Sequence, residues 1–278
     1  MLNQLETELK LRGFSKQTVK TYSLQNQLFL NHVKKDINEV NEQDIKDYFA
    51  SLMDKNFSAK TISLKRAALK FLYDEILKKS IVNIKTPKIA RKLPEILTRD
   101  EVKSLIENAK SEKSKLIIEL LYSSGIRVSE CVNLKLTDLN LQEKTGWVRA
   151  GKGGKDRLLI LSDSFITRLN SFMPRFNSSN PYLFQTTKNH ISVRNVQKII
   201  QRAARKANIN KSVSPHTLRH TLGTHLLDQG TDIRVIQQIL GHNSLNTTML
   251  YTQVSAEQLR KVKSPLDSLN ENKETTTK

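Results

Sequence analysis

The sequence predicts a mainly α protein in two domains: an all-helical domain over residues 1–86, a linker over 87–95, and a mixed, mostly helical domain over 96–278 with a small antiparallel sheet. Three observations predict it. Apolar residues recur at helical spacing behind capping residues through the first 86 positions. That pattern then stops at a proline-punctuated basic stretch, I-K-T-P-K-I-A-R-K-L-P. Strand-like sequence is confined to one region, Asp138 to Leu161.

In the first domain Leu2, Leu5 and Leu9 give a short helix ended near Gly13. Ser15 caps a long second helix carrying Val19, Tyr22, Leu24, Leu28 and Phe29. Asn41 caps a third, with Ile45, Tyr48, Phe49 and Leu52 inward, and Ser58 opens a fourth with Ile62, Leu69, Leu72, Tyr73 and Ile76. Basic residues concentrate on the fourth: Lys60, Lys65, Arg66 and Lys70. They suit a helix laid along DNA with phosphate contacts setting its position, and any single one equally suits a solvated helix face. The linker holds two prolines, four basic residues and no acidic one, so it reads as a hinge that lies against a duplex or as a solvated connector.

The totals narrow the partners. With 46 Lys+Arg against 27 Asp+Glu the chain carries +19, of which +14 falls from residue 87 onward. Such an excess points to a polyanion, usually nucleic acid. One cysteine, Cys131, excludes an internal disulfide and a cysteine metal cluster and fits a reducing cytoplasm. No apolar run approaches the about 20 residues of a membrane span, and the N-terminus is an amphipathic helix rather than a signal peptide.

In the second domain Thr98 caps a helix to about Ala109, Ser114 to Tyr122 is another, and Ser123-Ser124-Gly125 breaks it before a helix that starts near Ile126. Arg127 and Glu130 stand three apart there, so the glutamate can orient the arginine or form an ordinary surface ion pair. Two strands, T-G-W-V-R-A and D-R-L-L-I-L, join around Gly153-Gly154, with Lys152 and Lys155 flanking the turn. Gly146 to Lys152 spells G-x-x-x-x-G-K, but Gly153 replaces the required Ser or Thr and a strand follows in place of a helix, which excludes a P-loop. Phe165 to Phe172 is a helix, Tyr182-Leu183-Phe184 an edge strand, and Val193 to Ala207 a basic helix bearing Arg194, Lys198, Arg202, Arg205 and Lys206. Leu259, Val262, Leu266 and Leu269 recur near helical spacing, and Glu271 to Lys278 reads as disordered.

The chemistry concentrates between Ser214 and Tyr251. Ser214 is a helix N-cap and Pro215 the first helical residue, so His216 and Arg219 share one face of the first turns, where exposed N–H groups favour an anion. Leu218, Leu222 and Leu226 anchor that helix, Gly230 ends it, and a second helix from Asp232 to Leu240 closes at Gly241. His242 follows, and nine residues on a short helix from about Ser244 delivers Tyr251. His216 and His220 are spaced like zinc ligands, but Thr217 stands where H-E-x-x-H needs Glu, and singly His220 and His225 read as satisfied core histidines. Two imidazoles, a guanidinium and a phenol without a carboxylate suit a phosphodiester and no metal, since cations can stabilise a phenolate and the phosphorane it forms.

Together these residues resemble the tyrosine recombinases of the phage integrase family, of the Xer type, over nearly the whole chain. Arg127, Lys152, His216, Arg219, His242 and Tyr251 appear in the family's order, within S-G-I-R-V-S-E, G-K-G-G-K, H-T-L-R-H and L-G-H. Position 242 keeps His where some relatives carry Trp. The resemblance implies that Tyr251 attacks the scissile phosphate to leave a 3′-phosphotyrosyl enzyme and a free 5′-hydroxyl. Arg127 and Arg219 would grip the non-bridging oxygens, Lys152 protonate the departing oxygen, His216 assist proton transfer at Tyr251, and His242 bond the phosphate. Glu130 would buttress Arg127, and His220 would be structural. It implies a core-binding N-terminal domain and a catalytic domain clamped on double-stranded DNA, a homotetramer on two DNA sites, and no cofactor or metal. Absence of an arm-binding domain favours resolution of chromosome or plasmid dimers by a cytoplasmic, nucleoid-associated enzyme, with a second recombinase or a DNA translocase as possible partner. A mobile-element integrase, a type IB topoisomerase, or a DNA-binding protein with a dead site are the competing readings.

Overall fold

The computed structural model describes residues 2–87, 94–149, 156–177, 179–187 and 189–241. The chain divides into two compact units, Met1–Lys92 and Leu93–Lys278. The turn at Gly153-Gly154, the helix expected from Ser244, and the leucines and tail beyond it lie outside the described residues, as does the middle of the linker.

The first unit is built from α1 (Leu2–Leu11), α2 (Lys16–Val33), α3 (Glu42–Asp54) and α4 (Ala59–Lys70), the last continuing as a π-helical turn over Phe71–Ile76. The starts are set chemically: Ser15, Asn41 and Ser58 each accept a hydrogen bond from the backbone N–H three residues on. Leu5, Leu9, Phe29, Ile45, Phe49, Ile62, Leu69, Leu72 and Tyr73 form the core. Its aromatic rings meet edge to face, Phe29 against Tyr48 at 5.0 Å and against Tyr73 at 5.9 Å.

Two residue types depart from the apolar reading of this unit. On α2 the inward stripe runs Val19, Asn26, Phe29, so Leu24 and Leu28 face water at 52% and 44% exposure. Asn26 takes the core position because its amide donates to the carbonyls of Tyr22 and Ala68, tying α2 to α4. On α4 Lys65 falls in the stripe Ile62, Lys65, Leu69 and is buried. Its ammonium donates to Gln25 Oε1 at 2.8 Å and to the Tyr48 hydroxyl at 3.1 Å. The expectation that Lys65 contacts DNA is therefore corrected: its charge is spent inside the unit.

The second unit holds α5 (Arg99–Glu107), α6 (Glu112–Ser124), α7 (Val128–Asn133), α8 (Asp163–Phe172), α9 (Val193–Lys206), α10 (Pro215–Asp228) and α11 (Ile233–Leu240). Apolar on nearly every side, α6 is the central helix; Leu116, Ile117, Ile118, Leu120 and Leu121 are all at most 1% exposed. Even its Glu119 is buried, held at 3.0 Å by Arg168 from α8. Burying each of these leucine and isoleucine side chains contributes about 1.5–3 kcal/mol.

The sheet has three antiparallel strands in the order β1 (Leu139–Asn140), β2 (Thr145–Val148) and β3 (Arg157–Ile160). Trp147 pairs with Leu158 and Val148 with Arg157. Alternation turns Trp147, Leu158 and Ile160 to solvent and Val148, Leu159 and Leu161 inward. Arg157 is in phase with the inward residues. Tyr182-Leu183-Phe184, expected as an edge strand, forms only a bridge from Tyr182 to Lys135, because the chain turns at once to pair Gln185 with His190. No helix among the described residues is long and apolar enough to cross a membrane.

Candidate active site

The site is assembled where three chain segments meet the C-terminal end of α11. The first begins at Gly125, which caps α6 in the left-handed conformation at φ +60°. A Cβ there would stand 2.6 Å from Leu240 and 2.9 Å from Leu222, so both backbone shape and close packing require glycine. The chain then enters α7 through Arg127. Glu130, one turn on, accepts from the Arg127 backbone N–H at 3.0 Å and from its Nη1 at 2.9 Å. A carboxylate three residues away thus fixes both the backbone and the guanidinium of the arginine it follows.

The second segment is α10. Ser214 accepts from the Thr217 N–H at 3.2 Å, and Pro215 fills the first position, where its missing N–H costs nothing. His216 is exposed and Arg219, one turn on, is 5% exposed. Arg219 donates through Nη1 to the Gly125 carbonyl and through Nη2 to the Leu240 carbonyl. Farther along, His225 Nδ1 meets the Tyr122 hydroxyl at 2.8 Å, a polar link between α10 and α6.

The third segment is β3, and it brings a residue that sequence reasoning missed. Arg157, whose side chain is 10% exposed, forms an ion pair with Glu130 Oε2 and donates to the Ile239 carbonyl at 3.1 Å. Its signal was its phase, in step with Leu159 and Leu161, but Leu158 and Ile160 make the opposite face of the strand equally apolar and mask the alternation.

All three converge on one feature. The last carbonyls of a helix lack intrahelical partners and carry its negative end. Here Ile239 takes Arg157, Leu240 takes Arg219, and Gly241 takes Arg127 Nη2 at 2.8 Å. Three guanidinium groups therefore gather within three consecutive residues, directly before His242. A guanidinium has five N–H donors, and Arg127, with 22% of its side chain exposed, keeps part of that set toward solvent. A cleft of about 600 Å³ opens beside it, lined also by Ser129, Glu130, Lys135, Trp147 and Arg149.

The electrostatics follow from this crowding. Burial pushes the Glu130 carboxyl up, but Arg157 and Arg127 outweigh it and hold the group below its ordinary value. Burial, then the nearby His216 and Arg219, hold His220 low, so it stays neutral at pH 7. Among the described residues there is no group of three or more His, Cys, Asp or Glu that could hold a metal ion.

The structure thus brings together Arg127, Glu130 and Arg219, with His216 and His220 on the Arg219 helix. Lys152, His242 and Tyr251 lie outside the described residues. Of the basic residues expected at DNA, Lys60 is exposed, Arg66 half-buried, and Lys70 paired with Asp74 at 2.5 Å. Arg194, Lys198 and Arg202 form an exposed stripe on α9, whose opposite side buries Val196, Ile200 and Ala203.

Residues 95–258 match the phage integrase family, and residues 1–82 match the phage integrase N-terminal SAM-like domain. The chain belongs to the phage integrase family of tyrosine recombinases, enzymes that cleave and rejoin DNA. It is 38% identical to tyrosine recombinase XerA of Pyrococcus furiosus, over 94% of this chain and 91% of that protein. It is 33% identical to tyrosine recombinase XerD of Staphylococcus haemolyticus, over 90% and 92% of the two chains. The crystal structure of a XerA recombinase superposes with a TM-score of 0.56 at 33% identity, covering 93% of this chain and 95% of that one. XerH bound to a palindromic difH substrate shares the fold, with a TM-score of 0.74 at 24% identity and coverage of 96% and 85%.

Proposed function

We propose that this chain is a Xer-like site-specific recombinase that binds double-stranded DNA and exchanges strands through a 3′-phosphotyrosyl intermediate at Tyr251. One observation carries the assignment of roles: Arg127 and Arg219 are fastened to adjacent carbonyls at the end of α11, with His242 next in sequence. Two fixed guanidinium groups side by side match two non-bridging oxygens of one phosphate, whose charge grows as it becomes five-coordinate. Tyr251 attacks phosphorus and loses its proton with help from His216; the 5′-oxygen leaves and takes a proton from Lys152. His242 bonds a phosphate oxygen. The ester to Tyr251 conserves the phosphodiester linkage, so a 5′-hydroxyl from another strand reverses the step and completes exchange. Glu130 orients Arg127, and neutral His220 supports the Arg219 helix.

For the assembly, a homotetramer on two sites follows from the need to exchange two pairs of strands. Resolution of chromosome or plasmid dimers is the role the Xer relatives favour. Lys60, Arg66 and the α9 stripe supply phosphate contacts outside the reacting centre.

The test uses a nicked duplex whose sequence has been selected from a random pool by binding to the protein. Cleavage next to the nick releases a short fragment and traps a covalent protein–DNA adduct. Formation of that adduct in EDTA, and its loss in Tyr251→Phe with binding intact, is the expected result. An adduct that survives Tyr251→Phe overturns the assignment of the nucleophile.

A further inference from the structure

We infer that Arg157 is a positioning residue for strand cleavage: from β3 it joins the Glu130 carboxylate to the C-terminal end of α11, and so sets where Arg127 presents its guanidinium. The inference rests on the reading of Arg127 as a phosphate ligand given above.

The geometry separates Arg157 from an ordinary strand residue in three ways. Its side chain points inward, in phase with Leu159 and opposite Val148, where an unpaired cation would be strongly unfavourable. It reaches two groups that already hold Arg127. Glu130 gives Oε1 to Arg127 Nη1 and Oε2 to both the Arg127 N–H and Arg157. The end of α11 gives Gly241 O to Arg127 and Ile239 O to Arg157. The two arginines are therefore cross-linked twice, once through a carboxylate and once through a helix terminus.

The third feature is the contact with Gly241. A Cβ on Gly241 would stand 2.6 Å from Arg157 Cδ and 3.0 Å from its Nε, and 3.9 Å from Arg127 Nη1. The Arg157 side chain thus packs against the open face of the residue whose carbonyl Arg127 holds. This packing leaves Arg157 Nε buried without a hydrogen-bond partner. Retaining an unsatisfied donor there is an unfavourable feature, and the placement it secures is that of Arg127, Glu130 and the residue before His242.

Among the described residues, Glu130 is bonded by Arg127 and by Arg157 from β3, Lys135, Asp138 and Arg149 line the same cleft, and the end of α11 contributes backbone carbonyls that hold the two arginines. Without Arg157, Glu130 has Arg127 alone and draws on donors that would otherwise serve phosphate. Burial then also raises its carboxyl, since Arg157 is the leading charge that holds it down.

The experiment measures adduct formation by full-length protein on the selected nicked duplex. Wild-type protein must form the adduct; its failure would overturn the proposed function and not this inference. Arg157→Met is expected to bind the duplex with wild-type affinity and to form the adduct about 10- to 100-fold more slowly. Arg157→Lys, which keeps the charge but loses the fork, should recover part of the rate. Wild-type rates in Arg157→Met, or an Arg157→Lys variant no faster than Arg157→Met, would overturn the inference. Should Arg157→Met fail to fold, an Arg157→Lys variant as fast as wild type would overturn it as well.

Discussion

Lys65 in the first unit and Arg157 in the second are both cations withdrawn from water, and the protein meets them differently. Lys65 is satisfied by neutral groups, Gln25 Oε1 and the Tyr48 hydroxyl, with the Tyr48 and Phe57 rings 5.6 and 5.9 Å from its ammonium. That arrangement is closed, linking α2, α3 and α4 and leaving little of the charge outside. Arg157 is met by a carboxylate and a helix terminus, in a network whose other member, Arg127, still reaches solvent. The lesson concerns what a buried cation is for. Matched to dipoles alone it fastens helices; matched to a shared carboxylate beside a half-open arginine it shapes a place for an anion.

The contrast is sharpest at Glu130. Its side chain is 8% exposed and paired with two arginines. Removing one partner of such a buried cluster costs about 3 kcal/mol, so Glu130→Gln should lower the free energy of unfolding by that order in denaturant titrations at pH 7. The sign with pH follows from the carboxyl being held below the ordinary glutamate value of 4.5. Its contribution is fully present above that unfolded value and is lost as pH falls through the lower folded one. The gap between wild type and Glu130→Gln should therefore close on acidification below about pH 4.5 and stay constant above it.

A weaker effect is expected on α9, where the cations face outward without any acidic residue on the helix. Replacing Arg194, Lys198 and Arg202 together by Ala should leave the fold intact and reduce the slope of log affinity against log salt by about three, near one per phosphate contact. An unchanged slope in a filter-binding titration would show the stripe to be a solvated face. The smallest effect belongs to Lys65. Lys65→Met should change stability by about 1 kcal/mol, since it removes a buried charge along with its two hydrogen bonds, and DNA affinity should stay at the wild-type value. A loss of affinity matching that of Lys60→Ala would return Lys65 to the DNA surface.

Much of the fold could be read from local chemistry. Ser15, Asn41, Ser58, Thr98 and Ser214 each cap the helix expected of them, and Gly125 and Gly241 close theirs with positive φ. These signals are local, so they survive without knowledge of tertiary neighbours. Misreadings arose where a polar residue takes a core position. Asn26 and Lys65 look like surface residues until the carbonyl, amide or hydroxyl that satisfies them is known, and those partners lie as far as 42 and 40 positions away. Lys65 still left a trace, standing between Ile62 and Leu69 on the buried stripe. At the site, the order Arg127, His216, Arg219 was legible as a motif, whereas the carbonyls of Ile239, Leu240 and Gly241 that gather the arginines have no side-chain signature at all.

The central claim, that Arg127 and Arg219 hold the charge of one phosphate, is tested most directly by changing that charge. Arg219→Ala should slow adduct formation on an ordinary nicked duplex by about 10²- to 10³-fold, the cost of losing a preorganised donor at a developing oxyanion. On the same duplex with a neutral methylphosphonate at the scissile position, the penalty for Arg219→Ala should shrink to about tenfold or less. An equal penalty on both substrates would mean that the arginine only shapes the protein, and it would contradict the account.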